Sequence, residues 1–471
     1  MFDTPALLTI VAIAPVVLWL AFRHWQHAIL AVFVLLVFEG ALRKWLFPGA
    51  QSLIYLAKDV VLICAYLGFF FDSRKDRSGV QNAASIRIML FGGAIFGCIQ
   101  IFNPNSPSLL IGLTGFKSYF LYAPIAFILP YIIKSKQHLL NLIRQYLILA
   151  IPVAALGFIQ IAAGPESFLN TYVSHSEDAT ALAHFGREWD LVRTSGTFSY
   201  IQGYTAFLTF VSFLAIGYNL AQGWRVKNNL LPLCALTLVV GAMFTTGALT
   251  PVYTLLVMAP IILWLATIRR ILALQTALRL FVILPIITLV ALNVSPRAFD
   301  AFVNRATDAT TDNALDRFLS PIFETIEALS QTPVFGIGIG TTHPAALTIM
   351  GVEFPWWLKD IWSETEMARV TVELGAVGLI LTLALRILIA ALALRWTKRF
   401  EDPVYAAIGI ALAVAVALGV IAPVMLNATA GLYYWGSLGL ILAMRRLEQT
   451  ARREAPILRS AEPGKALAIS R

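Results

Sequence analysis

Val404-Tyr405-Ala406-Ala407-Ile408-Gly409-Ile410-Ala411-Leu412-Ala413-Val414-Ala415-Val416-Ala417-Leu418 continues through Gly419 to Leu426 without a charged side chain. A surface helix of a soluble protein shows a polar face at every turn, and a lipid-facing strand alternates with period two. This stretch does neither. A helix needs about 20 apolar residues to cross the hydrocarbon core of a bilayer. Backbone groups there find no water, so the stretch must satisfy them internally, as an α-helix does.

Working outward, the same pattern recurs along the chain. Candidate spans cover 5–22, 28–42, 53–71, 88–102, 109–133, 139–163, 198–221, 229–246, 248–268, 278–294, 366–394, 404–426 and 429–445. Composition agrees. Of 471 residues, 59% are hydrophobic and 13% charged, and the mean hydropathy is +0.77. A soluble domain carries about 25% charged residues. These values exclude a soluble enzyme, a disordered chain and a disulfide scaffold. Cys64, Cys98 and Cys234 fall inside apolar runs and have no metal-ligand spacing. The first apolar run has no basic segment or cleavage site before it, so it reads as a retained helix.

The expected architecture is therefore all-α: a polytopic transmembrane helix bundle of about 12–13 spans. Residues 1–445 form one transmembrane domain and 446–471 a basic tail. The net charge of +9 speaks to orientation, not to nucleic acid, because cytoplasmic loops collect Lys and Arg. Arg74, Lys75, Arg77 and Arg87 follow the third span; Lys134 and Lys136 follow the fifth; Arg269 and Arg270 follow the ninth. Arg395, Lys398 and Arg399 follow the eleventh, and Arg445, Arg446, Arg452 and Arg453 open the tail. That alternation places the C-terminus in the cytoplasm, and the long loops 164–197 and 295–365 on the outer side. Arg43 and Lys44 break it, since they fall outside.

Charges within spans are costly, at roughly 2.5–3.5 kcal/mol each on insertion scales. Glu39 and Arg43 stand at i,i+4 and can pair. With Lys44, Lys58 and Asp59 they read either as a structural ion-pair network or as a pocket for an anionic headgroup. Arg193 precedes Thr194-Ser195-Gly196-Thr197-Phe198 at a span boundary, where a guanidinium either snorkels or clamps phosphate. His175, His184, Glu177 and Asp178 have no recognised metal spacing. In the late loop, Leu315, Phe318, Leu319, Ile322, Phe323, Ile326 and Leu329 repeat at helical spacing, which predicts an interfacial amphipathic helix. Gly336-Ile337-Gly338-Ile339-Gly340 has no strand before it, so it reads as a tight turn beside a substrate or a packed helix, not a dinucleotide loop. His343 follows it. Trp356, Trp357 and Trp362 suit bilayer anchors, or platforms for sugar rings. Glu364 and Glu366, with Arg369, open the next span; they are candidates for a general base or a helix cap.

In order and spacing these features resemble the O-antigen ligase and O-antigen polymerase superfamily of bacterial inner-membrane glycosyltransferases. Arg193-Thr194-Ser195-Gly196-Thr197-Phe198 is similar to that family's Arg-x-Ser-Gly-Thr-Phe segment. Arg317 followed by Pro333-Val334-Phe335-Gly336-Ile337-Gly338 resembles its loop Arg and Pro-leu-Phe-Gly-x-Gly. Glu373-Leu374-Gly375-Ala376-Val377-Gly378 resembles the Glu-leu-Gly-x-x-Gly that follows. The resemblance spans roughly 190–390. Where family ligases carry His-Asn, this chain has Glu364 and Thr365. Thr245-Thr246-Gly247-Ala248-Leu249-Thr250 lacks the Arg often found in that turn.

The resemblance implies a metal-independent, inverting transfer of an undecaprenyl-diphosphate-linked glycan to a sugar hydroxyl on the periplasmic face, without cofactor. Arg193 and Arg317 would stabilise the diphosphate, and Glu364 or Glu366 would act as base. Arg43, Lys44, Lys58, Asp59, His343 and Arg369 would contact substrate. Membrane lipids and a chain-length regulator protein are the expected partners, and nucleic acid is not. The missing His favours a polymerase over ligation to lipid A core. A transporter or flippase of lipid-linked saccharide stays open. A transferase predicts Arg193, Arg317 and a carboxylate on one cavity, whereas a transporter predicts polar groups near mid-membrane.

Overall fold

The computed structural model describes residues 4–73, 83–171, 184–185, 191–223, 226–278, 299, 303, 311–343, 346 and 365–461. These form an all-α molecule, apart from an antiparallel pair of two-residue strands, β1 (His184–Phe185) and β2 (Leu191–Val192). The helices in chain order are α1 (Thr4–Arg23), α2 (Trp25–Ala41), α3 (Gln51–Phe71), α4 (Ala84–Ile101), α5 (Leu109–Phe120), α6 (Ile125–Ile132) and α7 (Lys136–Ala163). After the loop come α8 (Ile201–Ala221), α9 (Val226–Thr245), α10 (Leu249–Ile268), α11 (Thr311–Gln331), α12 (Glu366–Thr397), α13 (Pro403–Leu418) and α14 (Ala428–Ala461).

Among the described residues six helices are long and apolar enough to cross a membrane: α3 with its lead-in turn, α4, α7, α8, α10 and α12. The pair α5 and α6, bent by 45°, makes a seventh if it counts as one span. This is the multi-pass helix bundle that the apolar runs predict. Among the described residues the count stays below the expected 12–13, in part because Pro403–Leu418 is only 16 residues long. α1 and α9 are apolar helices of 20 residues each. The run 278–294 lies outside the described residues from 279 on, as do Arg74, Lys75, Arg77 and the three loop tryptophans. The helix that carries the last apolar run, α14, continues past 445 to Ala461.

Small residues set the packing, as expected where lipid removes the usual hydrophobic drive between helices. α13 and α8 meet at Gly217, where an added Cβ would lie 3.0 Å from the Ala411 Cβ. α14 and α6 meet at Gly439, against Ala126 and Leu129. α8 is central, with 78% of its apolar window buried, whereas α4 at 22% is peripheral.

Hydrogen bonds sort the connections into two ends. At one, Trp25 donates to Asp72 (3.0 Å), Lys136 pairs with Asp402 (2.7 Å), Arg446 donates to the Pro130 carbonyl (2.7 Å) and Arg269 donates to the carbonyls of Lys398 and Phe400. At the other, Asn103 donates to the Gly336 carbonyl (3.2 Å), Asn427 to the Gln202 carbonyl (3.2 Å) and Trp45 to the Phe168 carbonyl (3.2 Å). The first end carries the Lys and Arg clusters. The second carries the candidate site.

Candidate functional site

The Arg193–Ser199 segment is pinned from three sides. The Thr194 amide donates to the Thr245 carbonyl (3.2 Å). Gln160 of α7 accepts from the Gly196 amide (2.8 Å). Below it, α2 passes into a π-helical turn, Leu42–Leu46, and Gly40 lets the segment lie directly on the helix. An added Cβ there would stand 2.1 Å from the Ser199 nitrogen. The π turn aims two cations upward. Lys44 donates to the Ser195 hydroxyl (3.1 Å) and the Gly196 carbonyl (2.9 Å), and Arg43 to the Ser199 hydroxyl (3.0 Å). Arg43 and Lys44 thus fasten the segment.

So fastened, the segment presents Arg193. Its Nε donates to the Thr246 carbonyl (3.2 Å) in the turn that lacks its own Arg. Arg193 lines a cavity of about 480 Å³ between α8, α10, α12, α13 and α14. Arg369 and Glu366 line the same cavity, with Gln202, Asn427 and Tyr433. Phe210, Phe213 and Leu418 supply apolar wall. Three of the expected site residues are thereby brought together.

Glu366 is committed to structure. It pairs with Arg386, the two side chains being 2% and 1% exposed. Its Oε2 also accepts from the amides of Val424 (2.9 Å), Met425 (2.8 Å) and Leu426 (2.9 Å). Arg386 in turn donates to the carbonyls of Gly419 (3.1 Å) and Ala422 (3.2 Å). The pair ties α12 to the turn between α13 and α14. A carboxylate whose lone pairs are so occupied is poorly placed to take a proton from substrate.

Lys58 and Asp59 join a separate buried cluster. Lys58 meets Glu39 at 2.7 Å and Arg43 meets it at 3.3 Å. Asp59 pairs with Lys117 of α5 at 2.5 Å and accepts from Tyr122 at 2.8 Å. Tyr55 sits among the cations, its ring 4.1 Å from the Lys58 nitrogen, 4.5 Å from Lys117 and 5.3 Å from the Arg43 guanidinium carbon. Three cations, Arg43, Lys58 and Lys117, meet two carboxylates, Glu39 and Asp59, and each carboxylate is paired. The cluster holds α2, α3 and α5 together.

The glycine loop is wedged between α5 and a break in α12. Gly375 breaks that helix with φ 68° and ψ −168°. The amides of Ile337 and Gly338 take up the carbonyls of Val372 and Glu373, each at 3.0 Å. Thr342 donates its hydroxyl (2.6 Å) and amide (3.1 Å) to the buried Glu373 carboxylate. His343 closes the loop and is itself buried. Burial first, then the charges of Lys117 and Arg369, hold its imidazole down to about 4. It is neutral at neutral pH.

Arg317 belongs to α11, the predicted amphipathic helix, seven residues before Glu324 and so on the same helical register. Its side chain, and Glu364 altogether, lie outside the described residues. Glu324 accepts from the Thr365 amide (3.0 Å) and hydroxyl (2.9 Å), which brings α11 to the start of α12. Glu324, Lys117 and Arg386 escaped the sequence reading. The last two are each a single charge within a long apolar run. Among the described residues no three His, Cys, Asp or Glu side chains gather into a metal-binding group. The chain matches no protein-family model and no curated protein.

Proposed function

We propose that this chain is a polysaccharide polymerase-like glycosyltransferase of the bacterial inner membrane. It takes an undecaprenyl-diphosphate-linked glycan and joins it to an acceptor sugar hydroxyl on the periplasmic face. The observation that carries this reading is the cavity beside Arg193 and Arg369. Two guanidinium groups, amide and hydroxyl side chains, and an aromatic wall share one space between helices. Guanidinium groups match phosphate oxygens, amides and hydroxyls match a sugar, and the apolar wall matches a polyprenyl chain.

The chemistry follows from those parts. The acceptor oxygen attacks the anomeric carbon from the side opposite the diphosphate. The bond from that carbon to the diphosphate oxygen breaks, and its electron pair leaves with the phosphate, so the configuration inverts. Arg193 and Arg369 stabilise the charge that develops there. The acceptor's proton goes to a carboxylate. Glu366 is occupied by Arg386, so Glu364 takes that role, beside the Thr365 that Glu324 holds in place.

The test is transfer by the purified, reconstituted protein from a lipid-linked repeat unit. Arg193→Ala is expected to lower the rate at least about 100-fold, the usual cost of one lost charge-stabilising donor, with Arg193→Lys recovering part of it. Retention of full activity by Arg193→Ala would overturn the reading. Products that lengthen on the carrier identify a polymerase, and transfer only to lipid A core identifies a ligase. Movement of the lipid-linked saccharide without a new glycosidic bond would replace the proposal with the flippase.

A further inference from the structure

A second cavity, of about 740 Å³, opens at the opposite end of the bundle, where the Lys and Arg clusters gather. It lies between the ends of α3 and α6, the starts of α2, α7 and α13, and the distal part of α14. Lys134, Lys136 and Arg446 line it, and so do Trp25, Tyr131 and Tyr405.

The aromatic rings hold the cations in position. The Arg446 guanidinium carbon lies 5.4 Å from the Tyr131 ring, and the Lys136 nitrogen 5.9 Å from Tyr405. Two carboxylates also reach the wall, but Asp72 accepts from the Trp25 indole and Glu454 is exposed. Lys136 is answered by Asp402 at 2.7 Å. Lys134 has no carboxylate partner among the described residues. Phe70 and Phe71 of α3 directly precede Asp72 of the cavity wall and are exposed, at 72% and 68%, as is Phe22 of α1 at 42%. The Phe22 and Phe71 rings stand 6.3 Å apart across the two helices.

A cationic, aromatic-edged cavity between helix ends, continuous with an apolar outer face, has the shape of a phospholipid: phosphate above, acyl chains below. We infer that this cavity binds the phosphate of an anionic phospholipid, with Lys134 and Arg446 on the headgroup and the α1–α3 face against the acyl chains. This site stands apart from the Arg193 cavity and does not depend on the transferase reading.

The probe is dioleoyl-phosphatidylglycerol, added to the full-length protein in neutral detergent. Its effect on the thermal unfolding midpoint and its apparent affinity are read beside those of dioleoyl-phosphatidylcholine, inorganic phosphate and water-soluble glycerol phosphate. Phosphatidylglycerol is expected to raise the midpoint saturably, and phosphatidylcholine to leave it unchanged. Lys134→Gln and Arg446→Gln are each expected to weaken the lipid about fivefold, the usual contribution of one basic residue near a charged headgroup. Arg87→Gln removes an equal charge outside the cavity and should not change the affinity. Equal weakening by all three variants would mean diffuse attraction to the basic end and would overturn the site. Equal stabilisation by the free phosphates would leave an anion site and overturn the lipid. If Arg446→Gln fails to fold, Lys134→Gln on its exposed loop decides the matter alone.

Discussion

Arg386 stands in the middle of an apolar helix, and its guanidinium is almost wholly shielded. An ion pair in that setting adds little over two well-packed apolar residues, but breaking it from one side strands a charge. Arg386→Leu leaves Glu366 facing amides alone and takes donors from the Gly419 and Ala422 carbonyls. It is expected to cost about 3–5 kcal/mol. The double variant Glu366→Gln/Arg386→Leu should recover part of that loss, read as the thermal unfolding midpoint in detergent. Additive losses would contradict a coupled pair. His343 gives a second prediction at this scale. Its folded value of about 4 lies below the ordinary ~6.5. The unfolded state therefore binds more protons between those values, and stability falls as pH drops through that window. His343→Gln should flatten this part of the stability–pH curve, and an unchanged slope would contradict it. Residue by residue, the sequence disclosed Glu39, Lys58 and Asp59 as buried charges, because each interrupts a short apolar run. Arg386 and Lys117 sit in longer runs whose mean apolarity hides a single charge. Nothing in the sequence says that Glu366, not Glu364, is the carboxylate Arg386 holds; that depends on how the α13–α14 turn folds back.

Two glycine motifs far apart in the chain turn out to be halves of one joint. Gly336 has φ 74° and Gly375 has φ 68°, a region costly for residues with a Cβ. Their backbones also touch: a Cβ on Gly375 would lie 2.0 Å from the Val334 carbonyl oxygen, and one on Gly336 2.4 Å from that of Glu373. The joint exchanges hydrogen bonds lost at the helix break for bonds to the loop, so α12 can turn without leaving buried amides unpaired. Gly375→Ala meets both the conformational and the steric penalty and is expected to cost at least about 2 kcal/mol. Gly92→Ala is the contrast. It lies in α4 with nothing within 4 Å of the added carbon, so it should be neutral or gain up to ~1 kcal/mol from helix propensity. Equal midpoints for the two variants would remove the joint as a stabilising element. From sequence, the Gly-x-Gly-x-Gly run announced a tight turn and the apolar run announced a helix. The turn was expected beside a substrate or a packed helix, but which helix, and that it breaks there, was hidden because the pairing is tertiary. The π turn at 42–46 was equally hidden: nothing local to Leu42-Arg43-Lys44-Trp45-Leu46 marks it, and its aim at Ser195 and Ser199 is set by α2 as a whole.

At the scale of the molecule, the alternation of basic loops and the hydrogen bonds between them tell one story. Lys134, Lys136, Arg269, Lys398, Arg446 and Arg452 gather at one end of the bundle, joined by contacts such as Lys136 with Asp402 and Arg452 with Glu401 at 3.0 Å. The other end holds the Arg193 cavity, the glycine joint and α11. A chain obeying the positive-inside rule keeps the first end in the cytoplasm. The bundle was legible because apolar length is a property of each segment alone. The cavity was not, because its lining comes from five helices spread over more than half the chain. Single cysteines test the division, in a background with Cys64, Cys98 and Cys234 replaced by alanine. Asn105→Cys and Gln331→Cys, both exposed at the cavity end, should react with a membrane-impermeant maleimide in intact spheroplasts. Arg270→Cys, Lys398→Cys and Thr450→Cys, exposed at the basic end, should react only after the membrane is opened. Labelling of all five from one side would deny that the two ends face different compartments. Reversed labelling would keep the bundle but move the Arg193 cavity to the cytoplasmic face, where an acceptor outside the membrane could not reach it, and the transferase proposal would fall with that outcome.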